Sequence, residues 1–417
     1  MLKKNPWLMW AIAVSFFAFQ FILRVFPGLI VPEMMTKFHI DATSLGLLSA
    51  SYYLGYAGMQ IPVGILLDRF SPRYVISACA AICGLGTLSF VYSDTWVLTL
   101  LGRFLIGAGS AAGFLGTAKT VRMAFPEEKF TGMIGVTFTV GLAGALYGGK
   151  PMGLLIERMG WVQVLNLLAG LSLLIAVGVY LFFPADQDVG PARPGGHLRV
   201  GTALLSVLKN RKLIWVGIAG ALMVGPLEGF ADVWGISYLV NVYGFTKIDA
   251  SLITSCIFFG MLFGGPILSY VAQRWHAFYE VTAFCGLGMA TVFGVILLTR
   301  LFVTQIPLMI LMTLVGVLSC YQVIVFAIAS KLAPPELSGM VTSVTNCINM
   351  SAGCLVHFLM GGVMDLQWSG GLSDGIRIYE PAAYSSAVAI IPIGLLLGLL
   401  GFGLLRKYYM PERLINN

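Results

Sequence analysis

Charge is what this sequence has least of. Of its 417 residues only 10% are Asp, Glu, Lys or Arg, while 58% are hydrophobic. Water-soluble domains carry about a quarter charged residues, so a soluble fold is excluded. Histidine is also scarce, with four in the chain. The seven cysteines, at 79, 83, 256, 285, 320, 347 and 354, all fall in apolar runs. They read as small packing residues, and neither a disulfide framework nor a metal site is indicated. A phosphate loop is missing too: "GFLGTAKT" (113–120) lacks the Gly-Lys-Ser/Thr order, and "GAGSAAG" follows no strand. No nucleophile–base pair or metal cluster is legible, so neither an enzyme nor a cofactor is expected.

Long apolar runs are abundant. A helix needs about 20 such residues to cross a hydrocarbon core of roughly 30 Å. About twelve windows qualify: 7–35, 44–67, 73–92, 95–120, 131–155, 160–183, 212–240, 249–272, 278–299, 304–330, 339–364 and 382–405. The ten-residue dyad alternation of a membrane β-barrel is not seen. The chain is therefore expected to be an all-α polytopic membrane protein with twelve transmembrane helices. Its start imitates a secretory signal peptide, but the run is too long and lacks a small-x-small cleavage site, so it reads as a retained first helix. Placing the N-terminus in the cytoplasm assigns seventeen of the 25 Lys and Arg to inward segments and five to outward ones. Both termini are then cytoplasmic, and the net charge of +7 reflects orientation in a bacterial inner membrane rather than nucleic-acid binding.

The interval "PADQDVGPARPGGHLRVGTALLSVLKNRK" is the longest polar, Gly/Pro-rich and basic stretch. It divides the chain into a six-helix bundle (1–183), a cytoplasmic linker (184–211) and a second six-helix bundle (212–417). The halves echo each other: "FHIDATSL" (38–45) resembles "FTKIDASL" (245–252), setting Asp41 against Asp249 at an offset of 208. Asp, Ser and Thr cap helix starts, so shared capping chemistry competes with internal duplication as the source of the likeness.

"GILLDRFSPR" (64–73) resembles the loop between helices 2 and 3 of the major facilitator superfamily, through Gly64, Asp68, Arg69 and Arg73. Ser71 and Pro72 depart from that pattern. "GRFLIGAGSAAG" (102–113) resembles the superfamily's helix 4 motif through Arg103, Gly107 and Gly109. "GLAGALYGGKPMG" (141–153) is similar to the glycine-rich helix 5 of antiporters but lacks their Gly-Pro pair. "FILRVFPGLIVPEM", "LSASYYLGYAGMQIPVGILLDRF" and "QVIVFAIASKLAPPELSGM" resemble the proteobacterial intraphagosomal transporters, which import amino acids or nucleosides. The resemblance implies two pseudo-symmetric bundles and rocker-switch alternating access around a central site. It also implies gradient-driven transport, with Gly64 packing helices closely and Asp68, Arg69 and Arg73 forming a gating charge cluster. Proton-coupled import of an amino acid or similar small polar metabolite by a monomer is the leading expectation. A nucleoside, dipeptide or carboxylate siderophore remains an alternative cargo, and a drug efflux pump an alternative activity.

Polar residues inside the apolar runs are the candidate site, because they are costly in a membrane. Arg24 is a carboxylate clamp or the partner of a helix 7 acid. "GPLEGFADVWG" (225–235) places Glu228 and Asp232 four apart, on one helix face. They are candidates for proton coupling or for a structural ion pair. Asp232 follows Arg24 by 208, the offset of the repeat, so the two are expected to be pseudo-symmetric partners. Arg103 either pairs with a carboxylate or joins proton transfer. His357 is a packed histidine or a relay. Tyr52, Tyr56 and Gln60 form one stripe on helix 2. Trp234, Tyr321, Gln322, Asn346 and Asn349 complete a set suited to a small zwitterion, or else pack structurally.

Overall fold

The computed structural model describes residues 5–185, 200–299, 304–334, 337–373 and 375–409, nearly all of them helical. A bilayer offers no water to backbone N–H and C=O groups, so a spanning segment must satisfy them internally. Helices do this everywhere except at their breaks.

The chain divides into two compact units. The first comprises residues 1–39 and 47–194. Its helices are α1 (Pro6–Val25), α2 (Val31–Phe38), α3 (Ala42–Arg69), α4 (Pro72–Tyr92) and α5 (Trp96–Ser110). They continue with α6 (Ala112–Ala124), α7 (Glu127–Gly148), α8 (Lys150–Met159) and α9 (Trp161–Phe182). α1 gives way to a 3-10 turn over Phe26–Leu29, where Pro27 cannot donate a backbone hydrogen bond.

The second unit comprises residues 40–46 and 195–417. It holds α10 (Val200–Lys209), α11 (Arg211–Ala221), a π-helical run over Gly225–Trp234, α12 (Gly235–Tyr243), α13 (Lys247–Arg274) and α14 (Phe278–Thr299). Then follow α15 (Gln305–Ser319), α16 (Tyr321–Ser330), α17 (Ser338–Leu366), a hairpin of β1 (Leu372–Ser373) and β2 (Ile376–Arg377), and α18 (Pro381–Tyr409).

Eleven helical runs among the described residues are long and apolar enough to span a membrane. α3 is not among them although it has 28 residues. Its three tyrosines, Gln60 and several serines lower its hydropathy, and it completes the twelve spans of two pseudo-symmetric bundles. α10 departs from expectation, because it lies in the interval read as linker. Ala203 and Val207 are buried one turn apart while Leu205 and Leu208 are exposed, and the helix packs on α11 and α17.

Glycine-mediated contacts give the repeat its register. In the first unit a Cβ on Gly55 would lie 2.2 Å from the Phe104 carbonyl oxygen, and one on Gly107 would lie 2.0 Å from that of Tyr52. In the second, Gly260 meets the Thr313 carbonyl oxygen at 2.0 Å and Gly316 meets that of Ile257 at 1.9 Å. The same reciprocal clamp thus joins α3 to α5 and α13 to α15. It relates α3 to α13 by an offset of 205 and α5 to α15 by 209. The expected offset of 208 at Asp41 and Asp249 is corrected by these contacts. Asp41 caps α3 through Ser44 (2.8 Å), and its counterpart is Thr246, which caps α13 through the Asp249 N–H (3.1 Å). The likeness of the two segments was capping chemistry shifted by three residues. Arg24 and Asp232 consequently lose the argument that made them equivalent. Gly64 is corrected too, since a Cβ there would meet nothing within 4 Å.

Residues 40–46 are fastened within the second unit by Asp365. This carboxylate accepts from the Thr43 N–H (2.7 Å), the Thr43 hydroxyl, Arg377 (2.9 Å) and the Tyr379 hydroxyl. Tyr379 in turn accepts from the Ala42 N–H at 2.9 Å. Burial, and then the bond to Asp365, push the Tyr379 phenol above its ordinary pKa.

The clamps generate a prediction. Gly107→Ala and Gly316→Ala should each cost about 1–3 kcal/mol by forcing helices apart, lowering the melting midpoint of the purified protein. Gly64→Ala should leave it unchanged. Equal midpoints for all three variants would contradict the clamp.

Candidate functional site

In the first unit the polar residues gather where α1 ends. Gln20 and Arg24 are four apart and share a face of α1. Arg24, 8% exposed, occupies the last turn, where a cation complements the helix dipole. Its guanidinium lies 5.6 Å from the Phe21 ring centroid and 5.4 Å from that of Tyr53. Tyr52 is buried, donates its hydroxyl to Gln20 Oε1 (2.8 Å) and stacks on Tyr56 at 6.0 Å. Tyr56 is half-buried and Gln60 is buried one turn further along the same stripe.

Arg103 on α5 explains the break in α1. Pro27 has no N–H to give the Leu23 carbonyl four residues earlier, and the 3-10 turn disturbs the next bond as well. The Arg103 fork supplies both donors, to Leu23 O at 2.5 Å and to Arg24 O at 2.8 Å. Its guanidinium also lies over the Tyr52 ring, at 4.7 Å. A planar fork with several fixed donors suits this task as a lysine would not.

In the second unit the corresponding region is the π-helical run, all ten residues of which are buried. Runs of this kind concentrate at functional sites. Glu228 and Asp232 are 0% and 1% exposed. Trp234 donates its indole N–H to His357 Nδ1 at 3.1 Å. Nδ1 therefore accepts, which leaves the neutral ring its proton on Nε2. Tyr321, at the start of α16, donates to the Gly220 carbonyl (2.8 Å). Asn349 lies against the same Gly220: its Oδ1 would be 3.7 Å from a Cβ there. Asn349 is fully buried, yet neither end of its amide has a hydrogen-bond partner. Gln322 Nε2 and Thr345 Oγ1 are likewise buried without one. Asn346 is half-buried on α17.

Within the expected gating cluster, Asp68 and Arg73 turn to different partners. Asp68 binds Lys119 at 3.0 Å, while Arg73 turns away to lie 4.3 Å from the Tyr180 ring. Arg69 is exposed at the end of α3. Lys119 thus takes the place expected for Arg73. Sequence reading missed Gln20 and Thr345. Their signal was present, since Gln20 precedes Arg24 by four residues and Thr345 precedes Asn349 by four.

Arg103 and Pro27 should be energetically coupled. Arg103→Met is expected to cost roughly 1.5–3 kcal/mol, the range for hydrogen bonds from a charged donor. Pro27→Ala restores an N–H to Leu23, so the double variant should recover part of the lost melting midpoint. A double variant no more stable than Arg103→Met would sink this account.

Residues 8–357 match the sequence profile of the Major Facilitator Superfamily. An uncharacterized transporter of Bacillus subtilis, YybO, is 23% identical over 385 residues, covering 84% of this chain and 85% of its own. A probable galactarate/D-glucarate transporter of Escherichia coli, GarP, is 24% identical over 364 residues, covering 79% and 81%. Among solved structures, the nucleoside transporter NupG aligns with a TM-score of 0.77 at 14% identity, covering 97% of this chain and 99% of its own. A bacterial homolog of the human lysosomal transporter Spinster aligns at 0.72 and 14%, covering 98% and 97%. Helix spans, glycine clamps and a profile match along most of the sequence converge, and this chain belongs to the major facilitator superfamily of membrane transporters.

Proposed function

We propose that this transporter is a proton-coupled importer of an amino acid or a similar small polar metabolite bearing a carboxylate. The observation that carries the reading is Asn349. A buried amide with no partner costs on the order of 1–3 kcal/mol, and native proteins keep few such groups. Together with Thr345 and Gln322 it offers donors and acceptors that a polar ligand would satisfy. An apolar drug would not, which weighs against efflux of hydrophobic compounds.

Arg24 is assigned the ligand carboxylate, because its guanidinium can bind one bidentately. Tyr56 and Gln60 flank it on α3, and Tyr52 supports them through Gln20. Trp234 spends its N–H on His357, so its contribution is the indole face. Glu228 and Asp232 are assigned proton coupling, since buried carboxyl groups in membrane helices are the usual proton carriers. Arg103 is assigned to positioning α1 rather than to proton transfer. The charge distribution supports cytoplasmic termini in a bacterial inner membrane, and the protein is taken to act as a monomer.

A second reading has its own support. Galactarate and D-glucarate, in the names of probable transporters 24% identical to this chain, are carboxylates. A sugar acid would use the same Arg24 and would satisfy the amides with hydroxyls.

A ligand-stabilisation screen on purified protein, with amino acids, sugar acids and nucleosides at two pH values, decides the cargo. Arg24→Gln should weaken binding of the identified carboxylate ligand by about 30-fold, equivalent to roughly 2 kcal/mol. Wild-type affinity in that variant would remove the clamp. Asp232→Asn or Glu228→Gln should bind ligand but fail to accumulate it in liposomes under an imposed pH gradient. Full accumulation in both would place coupling elsewhere.

A further inference from the structure

α11 and α18 pack side by side in the second unit with Gly401 against Ala219 and Gly394 against Leu222, so they run antiparallel. Beside Gly401, which has no side chain to fill the space, a groove of about 600 Å³ opens between them. Ala219 and Leu405, both buried, form its floor. Trp215, Leu222 and Leu404 form its rim and are 53%, 40% and 56% exposed. Nothing charged lines it, so within a bilayer its natural occupant is a hydrocarbon chain.

The mouth of the groove is cationic. Arg211 precedes Trp215 by four residues and so continues the wall toward the start of α11. Lys212 lies beside it, and Lys407, three residues beyond Leu404, reaches the same end on α18. The first turn of α11 adds the positive end of its dipole. Arg406 turns instead to Glu280 on α14, at 2.6 Å. An apolar channel that ends in positive charge, at the surface where α11 begins, complements a molecule with an acyl chain and an anionic head.

We propose that this groove is a binding site for an anionic phospholipid, with one acyl chain between α11 and α18 and the phosphate at Arg211, Lys212 and Lys407. The site is independent of the transported substrate and of which ion drives transport. Basic residues near a membrane surface favour anionic lipids by electrostatics that add over several charges.

The test uses the full-length protein in detergent, with phosphatidylglycerol, phosphatidylcholine and inorganic phosphate as separate probes. Native mass spectrometry should show phosphatidylglycerol retained in preference to phosphatidylcholine by about tenfold or more. Phosphatidylglycerol alone should raise the melting midpoint. Replacing Arg211, Lys212 and Lys407 with Gln should bring the lipid preference close to unity, and Arg211→Lys should keep it. Leu404→Trp, which fills the groove from its exposed rim, should reduce retention of both lipids. The proposal is overturned if the triple variant keeps the preference, if Leu404→Trp retains lipid as wild type does, or if inorganic phosphate stabilises as well as phosphatidylglycerol. Should the triple variant not purify, Leu404→Trp decides the matter alone.

Discussion

The site in the first unit depends on one interaction, the Arg103 fork on the carbonyls of Leu23 and Arg24. A proline within a membrane helix frees a carbonyl that no water can reach, and something in the protein must donate to it. Arg103 does so and thereby fixes where α1 stops. Because it also holds the backbone of Arg24, it sets the point from which that side chain reaches Phe21 and Tyr53. Its guanidinium covers Tyr52, which holds Gln20. A single side chain therefore orders the end of a helix and the polar cluster built upon it.

The second unit meets the same constraint without an arginine. The glycine clamps supply the register for comparison: the offset that carries Gly107 to Gly316 carries Arg103 to Met312, which is buried. The offset that carries Gly55 to Gly260 carries Tyr52, Tyr56 and Gln60 to Ile257, Met261 and Gly265. No polar stripe survives there. The second unit also interrupts its helix, at Leu222–Val224 just before Pro226, and there the neighbour that donates is Tyr321, to the Gly220 carbonyl, before the π-helical run begins at Gly225. The repeated frame is thus held by small residues, while the polar residues on it differ between the two copies.

Spans and motif resemblances were legible in the sequence because hydrophobic run length directly reflects the bilayer. Most of the polar residues inside those spans were legible as well, for a membrane makes each one expensive. Their partners were not. Hydropathy marks Arg103 as unusual but does not say that it donates to backbone carbonyls, since that depends on a break in α1 some 80 residues away. The repeat was detected but misregistered, because capping imposes similar residues on any two helix starts. α10 was hidden by its surroundings: an interval rich in Gly and Pro masked a ten-residue amphipathic helix. Gly64 matched a motif without the contact the motif implies, whereas Gly55, inside a segment compared only as a whole, and Gly260, in no quoted segment, approach neighbouring backbone most closely.

The divergence of the two copies also explains why uncompensated polarity is tolerated where it is. A unit that only needed to be stable would not keep the amide of Asn349 unbonded at the centre of α17 while Tyr321, close by, is fully bonded to Gly220. Leu or Met would fill such a position without an unbonded polar group, as Met312 does at the position equivalent to Arg103. An amide retained under those conditions is worth more with a ligand than without one. Under the proposed function a polar ligand would satisfy Asn349, Thr345 and Gln322, whose buried polar atoms the protein leaves unbonded. On that reading the amides would narrow the choice of cargo beyond its charge, because a guanidinium such as that of Arg24 can pair with any carboxylate.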